Sequence, residues 1–153
     1  MRETMIKNLR AALDECNFKF ELIPQDHQIK TAQEGADYFG IAIGQTAPTL
    51  VLKTDQGYFA LIVSGDRGNT DFQEVAALLN CSKVKLASPK EVLKVTGCLP
   101  GNVSMVKLTL PCIIDQRLKR YPFIYGGTGI ENLTLKIDPK ALEFLNQTVG
   151  FLY

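Results

Sequence analysis

The chain has 153 residues, of which 46% are hydrophobic and 22% are charged, a balance typical of one globular domain with a substantial core. Its net charge of +1 argues against a protein that coats nucleic acid or a membrane surface by charge alone. The chain has no apolar run of the roughly 20 residues that cross a bilayer, and it carries four cysteines without CxxC spacing and one histidine. We therefore expect a cytoplasmic protein with free thiols, no metal, no cofactor and no membrane contact.

The first half of the chain alternates between helical and extended patterns. Apolar residues at helical spacing predict an amphipathic helix over residues 3–16, and alternation predicts a strand over residues 18–22. A capping box, in which Thr31 is followed by Glu34, opens a short helix that ends near Gly40. Two further strand-like runs, joined by Asp55-Gln56-Gly57, predict a hairpin; they are Thr49–Thr54 and Tyr58–Val63.

The second half continues in the same manner, with Asp71 and Ser88 as helix caps. The expected elements are, in order, a helix over 71–79, a strand over 83–87, a helix from 88, strands over 106–110, 112–114, 123–125 and 133–137, and a last helix from 138. Gly126-Gly127-Thr128-Gly129 is expected to form the turn between the last two strands. Hairpins mixed with short helices predict an α+β fold, a single domain over 1–153 with a mixed, mainly antiparallel sheet flanked by short helices.

The segment Thr96–Met105, TGCLPGNVSM, lies between a predicted helix and a predicted strand. Gly97 is placed to end the helix, and Pro100-Gly101 predicts a type II turn. Asn102 and Ser104 add polar groups to a bend whose N–H groups are exposed. Such a bend is either a stiff connector or a binding loop, and the local sequence leaves both interpretations open.

A series of short segments carries a family resemblance. In order along the chain they are the Thr31–Phe39 helix, QTAPTLVL (45–52), Asp66–Asp71, a helix ending in LLN, KLAS with the following EV (85–92), TGCLPGNVSM, LPCIID (110–115) and YGGTG (125–129). Each segment alone is weak. The ordered series, which covers about residues 18–145, resembles the YbaK and prolyl-tRNA-synthetase-associated editing domain family.

The resemblance implies an enzyme that acts in trans on a mischarged tRNA, hydrolysing the ester between a wrong amino acid and the 3′-terminal adenosine. It implies the aminoacyl-tRNA 3′ end as partner, with an aminoacyl-tRNA synthetase as a second one. The implied catalytic residues are Thr49, Gly101 and Asp115, because backbone N–H groups in a glycine-rich bend can stabilise an oxyanion. The implied substrate-binding residues are Arg67, Asn102, Ser104, Met105, Tyr125, Gly126 and Gly127.

The chain departs from the family pattern at one charged position. The lysine that the family carries in its QxxKTLVL strand corresponds to Pro48 here. Lys53 and Arg67 are two candidate replacements for its charge, although strand alternation turns Lys53 to the opposite face from position 48. The substitution leaves two alternatives to a tRNA deacylase: a binding module for aminoacyl-adenosine, amino acid or synthetase, and a hydrolase of another small acyl ester.

Two groups of basic residues are candidates for contact with RNA phosphates, and solvated surface is the alternative interpretation of each. They are Arg117, Lys119 and Arg120, and Lys83, Lys85, Lys90 and Lys94.

Overall fold

The computed structural model describes residues 1–153 and confirms the α+β class. The helices are α1 (Arg2–Asp14), α2 (Ala32–Phe39), α3 (Phe72–Leu79), α4 (Pro89–Thr96) and α5 (Ala141–Leu145), with two short 3-10 helices, Ile43–Gln45 and Gln116–Arg120. The strands are β1 (Phe20–Pro24), β2 (Thr46–Ala47), β3 (Thr49–Thr54), β4 (Gly57–Ile62), β5 (Val84–Leu86), β6 (Cys112–Asp115), β7 (Ile124–Gly127), β8 (Leu133–Ile137) and β9 (Thr148–Leu152).

The strands form two sheets rather than one. The first sheet has the order β1-β8-β7-β2 and the second the order β5-β3-β4-β6-β9. The predicted hairpin of β3 and β4 is antiparallel, as are the pairs β3–β5, β1–β8 and β7–β8. Three pairs are parallel: β2–β7, β4–β6 and β6–β9.

The main core joins the two sheets. Its cluster of 18 buried residues takes Leu135 and Ile137 from the first sheet, Ile62 and Ile114 from the second, and Leu13 from α1. Side chains alternate across a strand, so the other face of the second sheet carries a separate apolar set. That set packs against α3 and consists of Leu52, Leu61, Val63, Val75, Ile113 and Leu152.

Local capping explains why the helices begin where the sequence predicts. The side chains of Thr31, Asp71 and Ser88 accept hydrogen bonds from backbone N–H groups in the first turns of α2, α3 and α4. Gly40 and Gly97 end α2 and α4 in the left-handed conformation, as expected of glycine at that position. No helix in the structure combines the length and the apolar character needed to cross a bilayer.

The predicted strand over residues 106–110 is wrong. Lys107 has φ +55°, a conformation that interrupts extended backbone. Its N–H donates to the carbonyl oxygen of Leu145 at 2.9 Å, and the N–H of Leu108 donates to the Asn146 side chain at 3.1 Å. The segment is therefore fixed to the end of α5 instead of to a neighbouring strand.

The glycine turn is also placed differently. Gly126 and Gly127 belong to β7, and the turn into β8 begins after them. The sequence did not predict β2, β9 or the two 3-10 helices.

Candidate functional site

A cleft of about 270 Å³ opens at the end of the first sheet, where five chain segments meet. The lining residues come from the approach to and first turns of α2, from β2 and the start of β3, from the Gly101–Val103 loop, from β7, and from the β8 region. Six predicted site residues line the cleft: Thr49, Gly101, Asn102, Tyr125, Gly126 and Gly127.

The Gly101–Val103 loop is shaped by the predicted turn. The N–H of Asn102 donates to the carbonyl oxygen of Leu99 at 2.9 Å, and Gly101 has φ +92°, which is the glycine conformation of a type II turn. The intramolecular hydrogen bonds of the loop include none donated by the N–H of Gly101 or Val103. Both residues line the cleft, and neither backbone N–H has a hydrogen-bond partner within the protein.

Gly126 and Gly127 let this loop lie directly on β7. A Cβ atom at Gly127 would lie 2.3 Å from the carbonyl oxygen of Val103, and one at Gly126 would lie 2.4 Å from the sulfur of Met105. The N–H of Met105 donates to the carbonyl oxygen of Gly127 at 3.1 Å. The pair of glycines therefore permits a close approach of backbone to backbone that forms one wall of the cleft.

Pro48 lies where the chain passes from one sheet to the other. β2 pairs with β7 of the first sheet, and β3 pairs with β4 of the second. The N–H of Val63 donates to the carbonyl oxygen of Pro48 at 3.1 Å. Because hydrogen-bonded positions alternate in an antiparallel pair, the N–H of Thr49 points away from β4. β5 pairs only with residues 52–54 of β3, so the N–H of Thr49 has no strand partner on that side either.

The Thr49 hydroxyl is the one buried side-chain polar atom in the protein without a hydrogen-bond partner. A buried hydroxyl that lacks a partner costs about 1–3 kcal/mol, so such groups are rare in folded proteins and call for an explanation. Thr49 lines the cleft. The hydroxyl oxygen itself has almost no accessible surface, so a ligand in the cleft would reach it only after a small rearrangement of the lining.

Lys30 is the single charged residue that lines the cleft. The two cations considered as replacements for a lysine at position 48 lie elsewhere. Lys53 forms an ion pair with Glu91 at 2.8 Å, and Arg67 forms one with Asp115 at 2.7 Å. No motif in the sequence marks Lys30, since the approach to α2 reaches the cleft only through tertiary packing.

Asp115 and Arg67 form a buried ion pair outside the cleft. The Arg67 guanidinium donates to both carboxylate oxygens at 2.7 and 2.9 Å, and the N–H groups of Ser64 and Arg117 each donate at 2.9 Å. Burial alone would raise the pKa of Asp115, but these hydrogen bonds outweigh it and hold the pKa below its ordinary value. Asp115 also caps the following 3-10 helix.

The ion pair supports the cleft from behind. Ser64, which donates its N–H to Asp115, also donates its hydroxyl to the carbonyl oxygen of Gly44 at 2.7 Å. The N–H of Gly65 donates to the carbonyl oxygen of Thr46 at 2.9 Å. These bonds hold β2 and the 3-10 helix Ile43–Gln45 in place. Asp115 therefore acts on the cleft indirectly, through the backbone of β2 that lines it.

Ser104 and Met105 likewise lie behind the cleft rather than in its lining. The Ser104 hydroxyl donates to the carbonyl oxygen of Val106 at 2.8 Å and accepts from the N–H of the same residue at 3.2 Å. Met105 is fully buried in the main core. Direct substrate contact by Ser104, Met105, Asp115 or Arg67 stays a prediction.

The two basic groups differ in how their charges are used. Arg120 pairs with Asp66 at 2.9 Å, and Lys119 pairs with Glu143, so the first group is largely neutralised. Lys83, Lys85, Lys90 and Lys94 form no ion pair. No three His, Cys, Asp or Glu side chains lie together in a way that could hold a metal ion.

Comparison with known proteins gives a consistent result. A family model described as the aminoacyl-tRNA editing domain matches residues 26–145. The proline–tRNA ligase of Staphylococcus aureus (strain Newman) is 26% identical over 122 residues, which are 80% of this chain and 20% of that protein. The chain therefore spans about a fifth of the length of the curated relatives it matches.

Solved structures share the fold. A candidate trans-editing enzyme for prolyl tRNA synthetase superposes with a TM-score of 0.80 at 24% identity, covering 96% of this chain and 94% of the other. The hypothetical protein APE2540 superposes with a TM-score of 0.83 at 24% identity, covering 96% and 97%. At these identities the likeness establishes the fold.

We expect Gly127→Ala to displace the loop from β7. The new Cβ would meet the Val103 carbonyl oxygen, a backbone atom that cannot move away alone, and we expect a loss of about 2 kcal/mol in the free energy of unfolding. Gly35→Ala is the matched control, since its Cβ would make ordinary contacts of 3.5 Å or more at the same cleft. Equal denaturant midpoints for the two variants would contradict the close approach.

We expect the Asp115 carboxylate to stabilise the protein in a pH-dependent way. Its folded pKa lies below the unfolded value of about 3.9, so its contribution is complete above that value and is lost as the pH falls through the folded pKa. Asp115→Asn should cost about 3 kcal/mol at pH 7, and the difference from the wild type should shrink near pH 3. Urea unfolding at both pH values measures this. Asp14→Asn, at an exposed position, serves as control, and an unchanged difference at pH 3 would refute the assignment.

Proposed function

Since this chain belongs to the aminoacyl-tRNA editing domain family, we propose that it hydrolyses the ester bond of a mischarged aminoacyl-tRNA in trans. The observation that carries the proposal is the unpartnered Thr49 hydroxyl beside unused backbone N–H groups in one cleft. In this proposal the aminoacyl group occupies the cleft, and the partners are the 3′ end of a tRNA and an aminoacyl-tRNA synthetase. Such a role belongs with translation in the cytoplasm.

The expected chemistry follows from the donors that face the cleft. The ester carbonyl oxygen lies near the N–H groups of Gly101 and Val103, which stabilise the negative charge that develops there. The oxygen of a water molecule adds to the carbonyl carbon and yields a tetrahedral intermediate. Its collapse breaks the bond to the ribose oxygen, which takes up one proton of the water and leaves as a free hydroxyl. The amino acid leaves as its carboxylate, and the second proton of the water is released to solvent.

Activation of the water must come largely from the substrate. The cleft lining contains no histidine, cysteine, aspartate or glutamate, and its one charged side chain is that of Lys30. The lining thus lacks the histidine and carboxylate side chains that most often act as general bases, and in this proposal a ribose hydroxyl adjacent to the ester orients the attacking water. Lys30 is placed to offset negative charge at the mouth of the cleft.

The second candidate function is a binding module that holds an aminoacyl-adenosine without hydrolysing it. The specific observation in its favour is Pro48, which has neither a charge nor a donor at the position to which the family resemblance assigns a lysine. A binding module would gain thermal stability from an aminoacyl-adenosine amide and show no turnover. For such a module, Pro48→Lys would be the variant to assay for deacylation that the wild type lacks.

We expect the wild-type protein to deacylate at least one mischarged tRNA faster than the spontaneous rate. The experiment is a panel of purified mischarged tRNAs, with a minimal aminoacyl-adenosine ester assayed beside them. Hydrolysis of no pair above the spontaneous rate would contradict the proposal. Turnover of the minimal ester without any preference for tRNA would indicate a hydrolase of small acyl esters instead.

We expect Thr49→Val to separate stability from activity. Valine removes a buried hydroxyl that has no partner, so the melting temperature should be unchanged or higher. The kcat/KM for the cognate mischarged tRNA should fall about tenfold, the value of one lost hydrogen bond. Thr49→Ser, which keeps the hydroxyl, should retain most of the activity. Full activity of the valine variant would show that the Thr49 hydroxyl has no role in the reaction.

A further inference from the structure

A group of aromatic side chains beside the cleft has no part in the proposed chemistry. Phe39 and Tyr125 line the cleft, and their ring centroids are 5.2 Å apart. Phe123 lies two residues before Tyr125, immediately before β7. All three side chains are half-buried, so the core does not enclose their rings.

Lys136 connects two of these rings. Its ammonium lies 4.8 Å from the centroid of Phe123 and 5.9 Å from that of Tyr125, within the range of a cation–π contact. Lys136 forms no ion pair, although Glu21 lies opposite it on β1. Its charge is thus held over the rings and is not neutralised by a carboxylate.

Strand register places this group on the same face as the cleft. Tyr125 lies opposite Lys136 on β8, and Gly127 lies opposite Thr134. Tyr125, Gly127 and Thr134 all line the cleft. Leu135 and Ile137 point to the other side, into the main core. A chain that leaves the cleft along this face therefore meets the rings and the ammonium in succession.

We propose that Phe123, Tyr125 and Lys136 bind the unpaired nucleotides that precede the terminal adenosine of the tRNA. This inference rests on the proposed function, which puts the adenosine ester in the cleft. A single-stranded tail presents flat bases and one phosphate per nucleotide. Aromatic rings stack on such bases, and the Lys136 ammonium pairs with a phosphate while its methylene stem stays against Phe123.

The tail accounts for the combination of groups better than a peptide would. An acidic peptide would use the lysine but not the stacked rings, and an apolar peptide would use the rings but leave the ammonium without a partner. Arg120, the cation nearest to Phe123 in the sequence, is paired with Asp66 at 2.9 Å, so Lys136 is the cation that this face leaves for a phosphate.

The test compares two substrates that differ only in what lies beyond the adenosine. Lys136→Gln and Phe123→Leu are assayed on a mischarged tRNA and on the minimal aminoacyl-adenosine ester. We expect KM for the tRNA to rise about tenfold in each variant, the value of one lost base or phosphate contact. The kinetics on the minimal ester should not change. Lys136→Gln should also lower the slope of log affinity against log salt by about 1.

The control is Lys7→Gln, an exposed lysine of α1, the helix whose Leu13 packs in the core on the other side of this sheet. This substitution should not change the kinetics on either substrate. An equal loss on tRNA and ester would mean that Lys136 and Phe123 serve only the fold, and unchanged tRNA kinetics would overturn the inference directly. If Lys7→Gln raised KM for the tRNA as much as Lys136→Gln does, the effect would come from the net charge of the protein. That result would also overturn the inference.

Failure of the proposed function would look different, because the wild type would then hydrolyse neither substrate. The inference is tested in that case by binding alone. Wild-type affinity for uncharged tRNA should exceed that for the same tRNA without its last three nucleotides, and Lys136→Gln should remove the difference. Equal affinities of the wild type for the two tRNAs would overturn the inference.

Discussion

The cleft depends on one stretch of backbone that belongs to two sheets. β2 pairs with β7 in the first sheet, β3 pairs with β4 in the second, and Pro48 joins them. A residue at such a crossing does not form all of its backbone hydrogen bonds within one sheet. Thr49 follows at once, with its N–H turned away from β4 and its hydroxyl buried without a partner. The unused polarity of the site is thus a consequence of the topology, and proline is tolerated at position 48 because β3 begins only at the next residue.

The opposite wall depends on a close approach of backbone to backbone. Gly127 admits the backbone of Val103 and Gly126 admits the side chain of Met105 at distances that a Cβ atom would block. The buried pair of Asp115 and Arg67 supports β2 on the other side of the cleft. Neither wall carries a catalytic acid or base. The site therefore favours stabilisation of a developing oxyanion by backbone donors over proton transfer by side chains, which is consistent with a substrate that brings its own hydroxyl groups.

Features with local causes were predictable from the sequence. The caps at Thr31, Asp71 and Ser88 and the turn at Gly101 are encoded within four residues, and the structure confirms them. Features with distant causes were not. β2 and β9 are short and pair with strands far along the chain, and the segment expected as a strand at 106–110 is held by α5. Lys30 and Lys136 reach the cleft face only through tertiary packing, so no motif marks them. The family resemblance, by contrast, assigned Thr49, the Gly101–Val103 loop and YGGTG to one site.

The central claim is that the cleft between Thr49 and the Gly101–Val103 loop receives the aminoacyl-adenosine end of a tRNA. A crystal structure of the protein with a non-hydrolysable aminoacyl-adenosine amide tests it most directly. We predict that the amide carbonyl oxygen lies within hydrogen-bond distance of the loop N–H groups, with a polar atom of the ligand satisfying the Thr49 hydroxyl. A ligand bound elsewhere, or a cleft that stays empty at saturating ligand with that hydroxyl still unpartnered, would contradict the claim.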